Sequence, residues 1–267
     1  MGVNTKLLRT RIKSVNSTLH LTKAMGLVAS SKIRRANDAM LKGREYDIAV
    51  SDIINMLALS PECKKSPYIK VRGDKKVKLI VIAGDRGLAG GYNANVFRKL
   101  REFEGADVIP IGKRACERFS HDTVYAEGYS YKDAFILAKS LCESFCSGEY
   151  DRLGILCTNY ISMMTQTPEI RWVLPITIPD KKRNGGVIFE PDELEILNYA
   201  VNEYVAGKII SAVRESFASE VAARRMAMDS AGKNAQQMID NLQLEYNRAR
   251  QGAITQEITE IVAGSGT

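Results

Sequence analysis

Histidine is almost absent from this 267-residue chain: there are only His20 and His121. Two imidazoles so far apart cannot assemble a Ser/His/Asp, Cys/His or HExxH constellation, so nucleophilic and zinc-hydrolase chemistry find no footing. Cysteine is scarce and irregular. Cys63, Cys116, Cys142, Cys146 and Cys157 are odd in number and follow no ligand spacing, which argues against a zinc site, against the disulfide framework of a secreted domain, and for a reducing compartment. Cys142 and Cys146 lie one helical turn apart and are read as buried apolar thiols rather than a redox pair. No window approaches the eighteen or so apolar residues of a membrane span. The first 45 residues contain no Phe, Tyr or Trp, which removes the stacking surfaces a nucleic-acid binder would want there. Proline is missing after Pro191.

That last absence leaves one uninterrupted helical pattern from Pro191 to Ala263. Val201, Val205, Ile209, Val213, Phe217 and Val221 repeat every fourth residue, and Met238, Leu242, Tyr246, Ala249 and Ala253 continue the stripe. A helix of that length runs roughly 110 Å at about 1.5 Å per residue, far more than one domain's core covers. The sequence therefore predicts that something else holds it. From Val3 to Leu57 a second long helix is predicted by Leu8, Ile12, Val15, Leu19, Thr22, Met25, Ala29 and Ile33. Its Gly26 and Gly43 each cost about 1 kcal/mol relative to Ala, an expense that close approach to a neighbour or a local bend would explain. The simplest arrangement is an antiparallel coiled coil of both termini.

Charge is distributed unevenly. Residues 1–42 hold nine basic side chains against one acid, Asp38, a net of +8 that exceeds the +7 of the whole chain; residues 191–267 hold eleven acids against seven bases, a net of −4. The two termini should attract one another and leave positive charge for an acidic partner. Between Asn234 and Gln256 eight amides (Asn234, Gln236, Gln237, Asn241, Gln243, Asn247, Gln251, Gln256) replace the Glu and Lys of an ordinary solvated face. Amides form weak, exchangeable hydrogen bonds, which suits a surface meeting several partners in turn.

Between the helices the texture changes. Strands are predicted at 76–84, 106–112, 152–160 and 168–178, and helices at 93–103, 113–121 and 131–146. The alternation argues an α/β domain with a mainly parallel sheet, followed by a turn-rich linker at 179–191. The expected domains are 1–60, 61–190 and 191–267.

GDRGLAGGYN (84–93) follows a strand and precedes a helix, where a nucleotide loop would lie. Its glycines have neither dinucleotide-binding nor Walker spacing. They are read as permitting a tight turn and close packing, and Asp85 and Arg86 as a local ion pair rather than a catalytic one. Glu257 and Glu260 lie on a helix surface without a pocket. Lys64-Lys65, Lys75-Lys76-Lys78 and Lys181-Lys182-Arg183 flank turns as solvated charge, whereas Arg34-Arg35 and Arg224-Arg225 lie on the long helices. No catalysis, cofactor or metal is expected.

TKAMGLVASSKIRRA (22–36), GDRGLAGGYN (84–93) and NRARQGAITQEITEIVAG (247–264) resemble, in order along the chain, three blocks of the gamma subunit of F-type ATP synthases. The resemblance implies a Rossmann-like mainly parallel sheet domain inserted between long terminal helices that form an antiparallel coiled coil. It implies a non-catalytic central rotor shaft in the bore of a hexamer of alpha and beta subunits. The shaft would join a proton-driven membrane ring of c subunits to ATP synthesis and hydrolysis, with an epsilon-type subunit alongside and one copy per complex. Carried over by position, Arg250 and Gln251 would engage a loop of an open beta subunit, with Thr255 and Glu257 on the adjoining coupling surface. Met25, next to Lys23, would fall where the shaft passes the acidic C-terminal segment of beta, and Arg34 and Arg35 are counted with them as partner-contact residues within the +8 stretch. The chain would then be peripheral on the cytoplasmic face of a bacterial inner membrane or, alternatively, on the matrix face of the mitochondrial inner membrane. Gly26 and Leu27, where longer residues are the pattern, and the AGSGT tail depart from the family. No cysteine-bearing insertion of the chloroplast type is present.

Overall fold

Runs with a helical period fold as helices, and the short β-branched runs between them fold as strands. A computed structural model of the chain describes residues 5–73, 75–178, 189, 190 and 192–265. Its elements are α1 (Thr5–Ala58), β1 (Val77–Ile82), α2 (Tyr92–Leu100), β2 (Asp107–Ile111), α3 (Lys113–Phe119), α4 (Tyr131–Ser147), β3 (Arg152–Tyr160), β4 (Gln166–Leu174) and α5 (Glu193–Ser265). The expected linker at 179–191 and the Lys181-Lys182-Arg183 cluster fall outside the described residues, apart from Phe189 and Glu190. The chain forms two compact units, one from Met1–Ser30 with Arg224–Thr267 and one from Ser31–Ala223.

In the first unit α1 and α5 run antiparallel. Leu19 packs with Ala235 and Ile239, with Val15 against them; Gly232 lies beside Thr22 and Leu19, and Gly26 beside Met228. Rising numbers on one helix thus meet falling numbers on the other. The α1 stripe is inward-facing: Leu8, Leu19, Thr22 and Ala29 are buried and Ile12, Val15 and Met25 half-buried. On α5 the expected stripe needs correction. Met238 is 46% exposed and Ala253 is exposed, while Ala235, Ile239 and Leu242 are buried. The seam follows steps of four and three through Ala235, a residue too small to stand out as a core position in sequence.

In the second unit the sheet order is β2-β1-β3-β4, with β1 parallel to both neighbours and β4 antiparallel to β3. The period-two alternation of β1 feeds two cores. Leu79 and Val81 pack with Val96 and Leu156 on one face. Ile80 and Ile82 pack with Phe145, Leu141, Leu57 and Ile209 on the other. Each fully buried side chain of this size contributes about 1.5–3 kcal/mol. Helix α4 begins with a reciprocal cap, in which Ser130 accepts from the Asp133 N–H and Asp133 accepts from the Ser130 N–H, and it ends on left-handed Gly148. The last strand stops at Leu174, earlier than the expected 178; the Leu174–Pro175 peptide is cis, and proline has no N–H to continue a ladder.

Within the second unit, too, α1 and α5 are antiparallel. Lys208 lies 2.9 Å from Asp47. A Cβ on Gly43 would lie 3.5 Å from the Ser211 Cα, so Gly43 marks the close helix approach expected of it.

Candidate functional site: the strand ends and the tip of α5

In an open α/β sheet, ligands bind outside the carboxyl ends of the parallel strands. Here α5 lies across that position. At the end of β3, the Thr158 N–H donates to Ser216 Oγ at 3.1 Å and Ser219 Oγ donates to the Thr158 carbonyl at 3.2 Å. At the end of β1, the N–H groups of Asp85 and Arg86 donate to the Glu220 carboxylate at 3.4 and 3.3 Å. Glu220 is 1% exposed. A Cβ on Gly84 would lie 2.8 Å from the Glu220 Cδ, so a side chain there would expel the carboxylate. Gly112, at φ +95, is equally constrained, since its Cβ would sit 1.9 Å from the Ala83 carbonyl oxygen.

The rest of GDRGLAGGYN is consumed locally. Asn93 Oδ1 accepts from the Gly84 N–H at 2.9 Å, and the Tyr92 hydroxyl donates to the Ser216 carbonyl at 2.9 Å. Asp85 is not the local partner of Arg86 that the sequence suggested. Its carboxylate accepts from the backbone N–H groups of Lys113, Ala126 and Glu127 at 3.1, 2.9 and 2.7 Å, while the Arg86 guanidinium lies 3.6 Å from Glu127. Five residues before Glu220, Glu215 is also 1% exposed. It accepts from Arg171 at 2.7 Å, from the Tyr160 N–H at 3.1 Å, and from Arg44. Burial pushes its pKa up, but the two guanidiniums outweigh burial and hold it below the usual carboxylate range. Among the described residues no group of three or more His, Cys, Asp or Glu is placed to hold a metal.

The residues assigned to coupling fall in separate places. Arg250, Gln251, Thr255 and Glu257 come together on α5, all exposed. Arg250 and Glu257, seven apart, share a face, and Thr255 Oγ1 donates to the Gln251 carbonyl at 2.9 Å. Lys23 and Met25 belong to the same unit but lie beside the Met228–Gly232 stretch, where Lys23 lines a groove with Gly26, Met228 and Gly232. Along α5 that is about five turns from Arg250. Arg34 and Arg35 are exposed on the α1 segment of the other unit. From Gln243 to Ser265, every residue but Tyr246 and Ala249 is exposed, as are all eight amides.

Sequence reasoning missed two features. Ile254, Ile258, Ile261 and Val262 form an apolar stripe on the tip, 46%, 56%, 70% and 64% exposed, although their spacing of four and three was readable. The buried acids Glu215 and Glu220 had a fainter signal, two acids five apart in SAVRESFASEVAA, where Arg214 is the one other charge and small or apolar residues make up the rest. The cysteine reading held for Cys142, which is buried with its thiol pushed up to about 12 by that burial. It failed for Cys146, which is exposed.

Residues 4–267 match the family model described as ATP synthase. The chain is 40% identical over 280 residues to the ATP synthase gamma chain of Ruminococcus albus, covering 98% of each, and 39% identical over 285 residues to that of Alkaliphilus metalliredigens, covering 99% of each. Among solved structures it is similar to a chain from the central stalk and c-ring of Tetrahymena thermophila mitochondrial ATP synthase, with TM-score 0.63, 22% identity, and 79% of this chain and 99% of that one covered. It is also similar to a chain from the Euglena gracilis mitochondrial ATP synthase OSCP/F1/c-ring structure, with TM-score 0.65, 18% identity, and 98% and 93% covered. At these identities the structural likeness speaks for the fold.

Proposed function

The chain belongs to the ATP synthase gamma-chain family, and we propose that it is the central stalk of such an enzyme, a rotor shaft that catalyses nothing itself. In this reading it couples proton-driven rotation of a membrane ring of c subunits to ATP synthesis and hydrolysis in a hexamer of alpha and beta subunits. The observation that carries the reading is the bare end of α5, twenty-odd residues presenting an apolar stripe and an amide-rich face that the described chain leaves uncovered. Such a surface contributes nothing to the chain's own core, so its use is contact with other subunits.

Arg250, Gln251, Thr255 and Glu257 are the coupling residues that meet beta in turn. Lys23 and Met25 meet beta's acidic segment, and Arg34 and Arg35, in the other unit, are partner contacts as well, consistent with the net +8 of residues 1–42. Because rotation places the same face against different subunits, differential contact in each orientation shifts each site between its states. An epsilon-type subunit accompanies the stalk, one copy is present per complex, and residues 1–60, 61–190 and 191–267 act as shaft, side domain and shaft. The chain is peripheral on the cytoplasmic face of a bacterial inner membrane or, alternatively, on the mitochondrial matrix face. Among the described residues no helix is long and apolar enough to cross a membrane.

Gentle purification of the tagged chain tests this. Alpha, beta, epsilon-type and c chains are expected in fixed, unequal stoichiometry around a single copy. Recovery of the chain without alpha and beta under conditions that preserve the ATPase would overturn the reading.

A further inference from the structure

Two backbone N–H groups at the end of a parallel strand, in a glycine-rich turn and directed at an acidic group, are what an α/β fold ordinarily offers to a bound anion. In this chain the anion is a side chain. We propose that the crevice at the end of β1 is an anion site permanently occupied by the Glu220 carboxylate, and that this internal ligand fastens the sheet to α5.

The atoms fit that role. Both Glu220 oxygens are engaged, Oε2 by the Asp85 N–H and Oε1 by the Arg86 N–H. The carboxylate lies so close to Gly84 that only glycine leaves room for it. The turn is held rigid from behind, where Asp85 collects three backbone donors and Asn93 caps the Gly84 N–H. The groups that would receive a phosphate are therefore pre-organised before any ligand arrives, and the helix supplies the ligand in cis. The inference concerns this chain alone and does not depend on its assignment as a central stalk.

Glu220→Ala removes a CH2–COO⁻ fragment, which is an acetate ion less one hydrogen, and leaves a cavity of that shape facing two unsatisfied donors. In the purified full chain, Glu220→Ala should lower the melting temperature by roughly 5 °C. Sodium acetate or formate at ~100 mM should restore at least half of the loss relative to sodium chloride of equal ionic strength, by binding the folded form. Wild type should show no difference between these salts. Glu220→Gln still fills the crevice and should show no acetate-specific recovery. If Glu220→Ala is insoluble, refolding yield in acetate against chloride reads the same quantity.

Recovery in Glu220→Ala alone supports the proposal. Absence of acetate-specific recovery, or equal recovery in wild type or Glu220→Gln, overturns it. Co-purification with other subunits is untouched by either result, so failure here and failure of the stalk reading are distinguishable.

Discussion

At the scale of single residues, Glu215 is an exacting position in the second unit, because a carboxylate 1% exposed is held by two arginines and one backbone N–H. Removing one partner of a buried pair leaves the others uncompensated, so Glu215→Ala should destabilise by about 3–5 kcal/mol in urea unfolding. Its folded-state pKa lies below the ordinary value. The stabilisation is therefore complete above about pH 4.3, the unfolded value, and is lost as pH falls through the depressed folded value. Urea midpoints of wild type should fall in that acid range more steeply than those of Glu215→Gln. At the other end, Arg250→Ala or Gln251→Ala should lower the ATPase of the assembled complex several-fold while leaving subunit composition intact, as both side chains are exposed. Wild-type turnover in both variants would remove them from the coupling surface. The buried acids were only faintly legible in the sequence, because an acid's worth inside a helix depends on donors more than forty residues away in the chain, at Arg44 and Arg171 for Glu215 and at the Asp85 and Arg86 N–H groups for Glu220, that no local pattern exposes. Arg250 and Gln251 are assigned to coupling only because their neighbours spell a recognisable block.

At the scale of elements, the two glycines of α1 make a paired test. A Cβ on Gly26 would meet Met228 at an ordinary 3.7 Å, so Gly26→Ala should gain most of the helix-propensity difference, about 1 kcal/mol. At Gly43 the same Cβ would press to 3.3 Å on the Arg214 Cδ and 3.5 Å on the Ser211 backbone, so Gly43→Ala should fall well short of that gain. Urea midpoints of the two variants, measured side by side, check the ordering; equal gains would contradict it. Nearly every element was foreseen, since its period is local information: VKLIVI alternates between two cores, and α4 is bracketed by cap residues Ser130 and Gly148, with Asp133 completing the first cap. The seam of α5 was misjudged where the local signal is ambiguous. Met238 and Ile239 are adjacent and both apolar, and only the facing Leu19 and Val15 decide which turns inward.

At the scale of the whole molecule, the end of α5 contributes contact without contributing core. A chain lacking residues 252–267 should therefore melt within about 2 °C of the full chain, as changes at exposed positions do. A larger loss in a thermal scan would mean that the tip is braced by its own chain. The GDRGLAGGYN crevice carries the opposite lesson. The sequence reading of a structural turn was correct, yet the reason lay outside the motif, in a glutamate 135 residues further along the chain. The pairing of α1 with α5 also sets a timetable for synthesis. Leu19 meets Ala235 and Ile239, so the apolar stripe at the start of the chain has no seam until roughly 200 further residues have been made. At ~5–20 residues per second that is on the order of 10–40 s. During this interval the nascent α1, basic on one side and apolar on the other, is a natural client for a holding chaperone, and a segment made well before α5 is among the last to be closed into place.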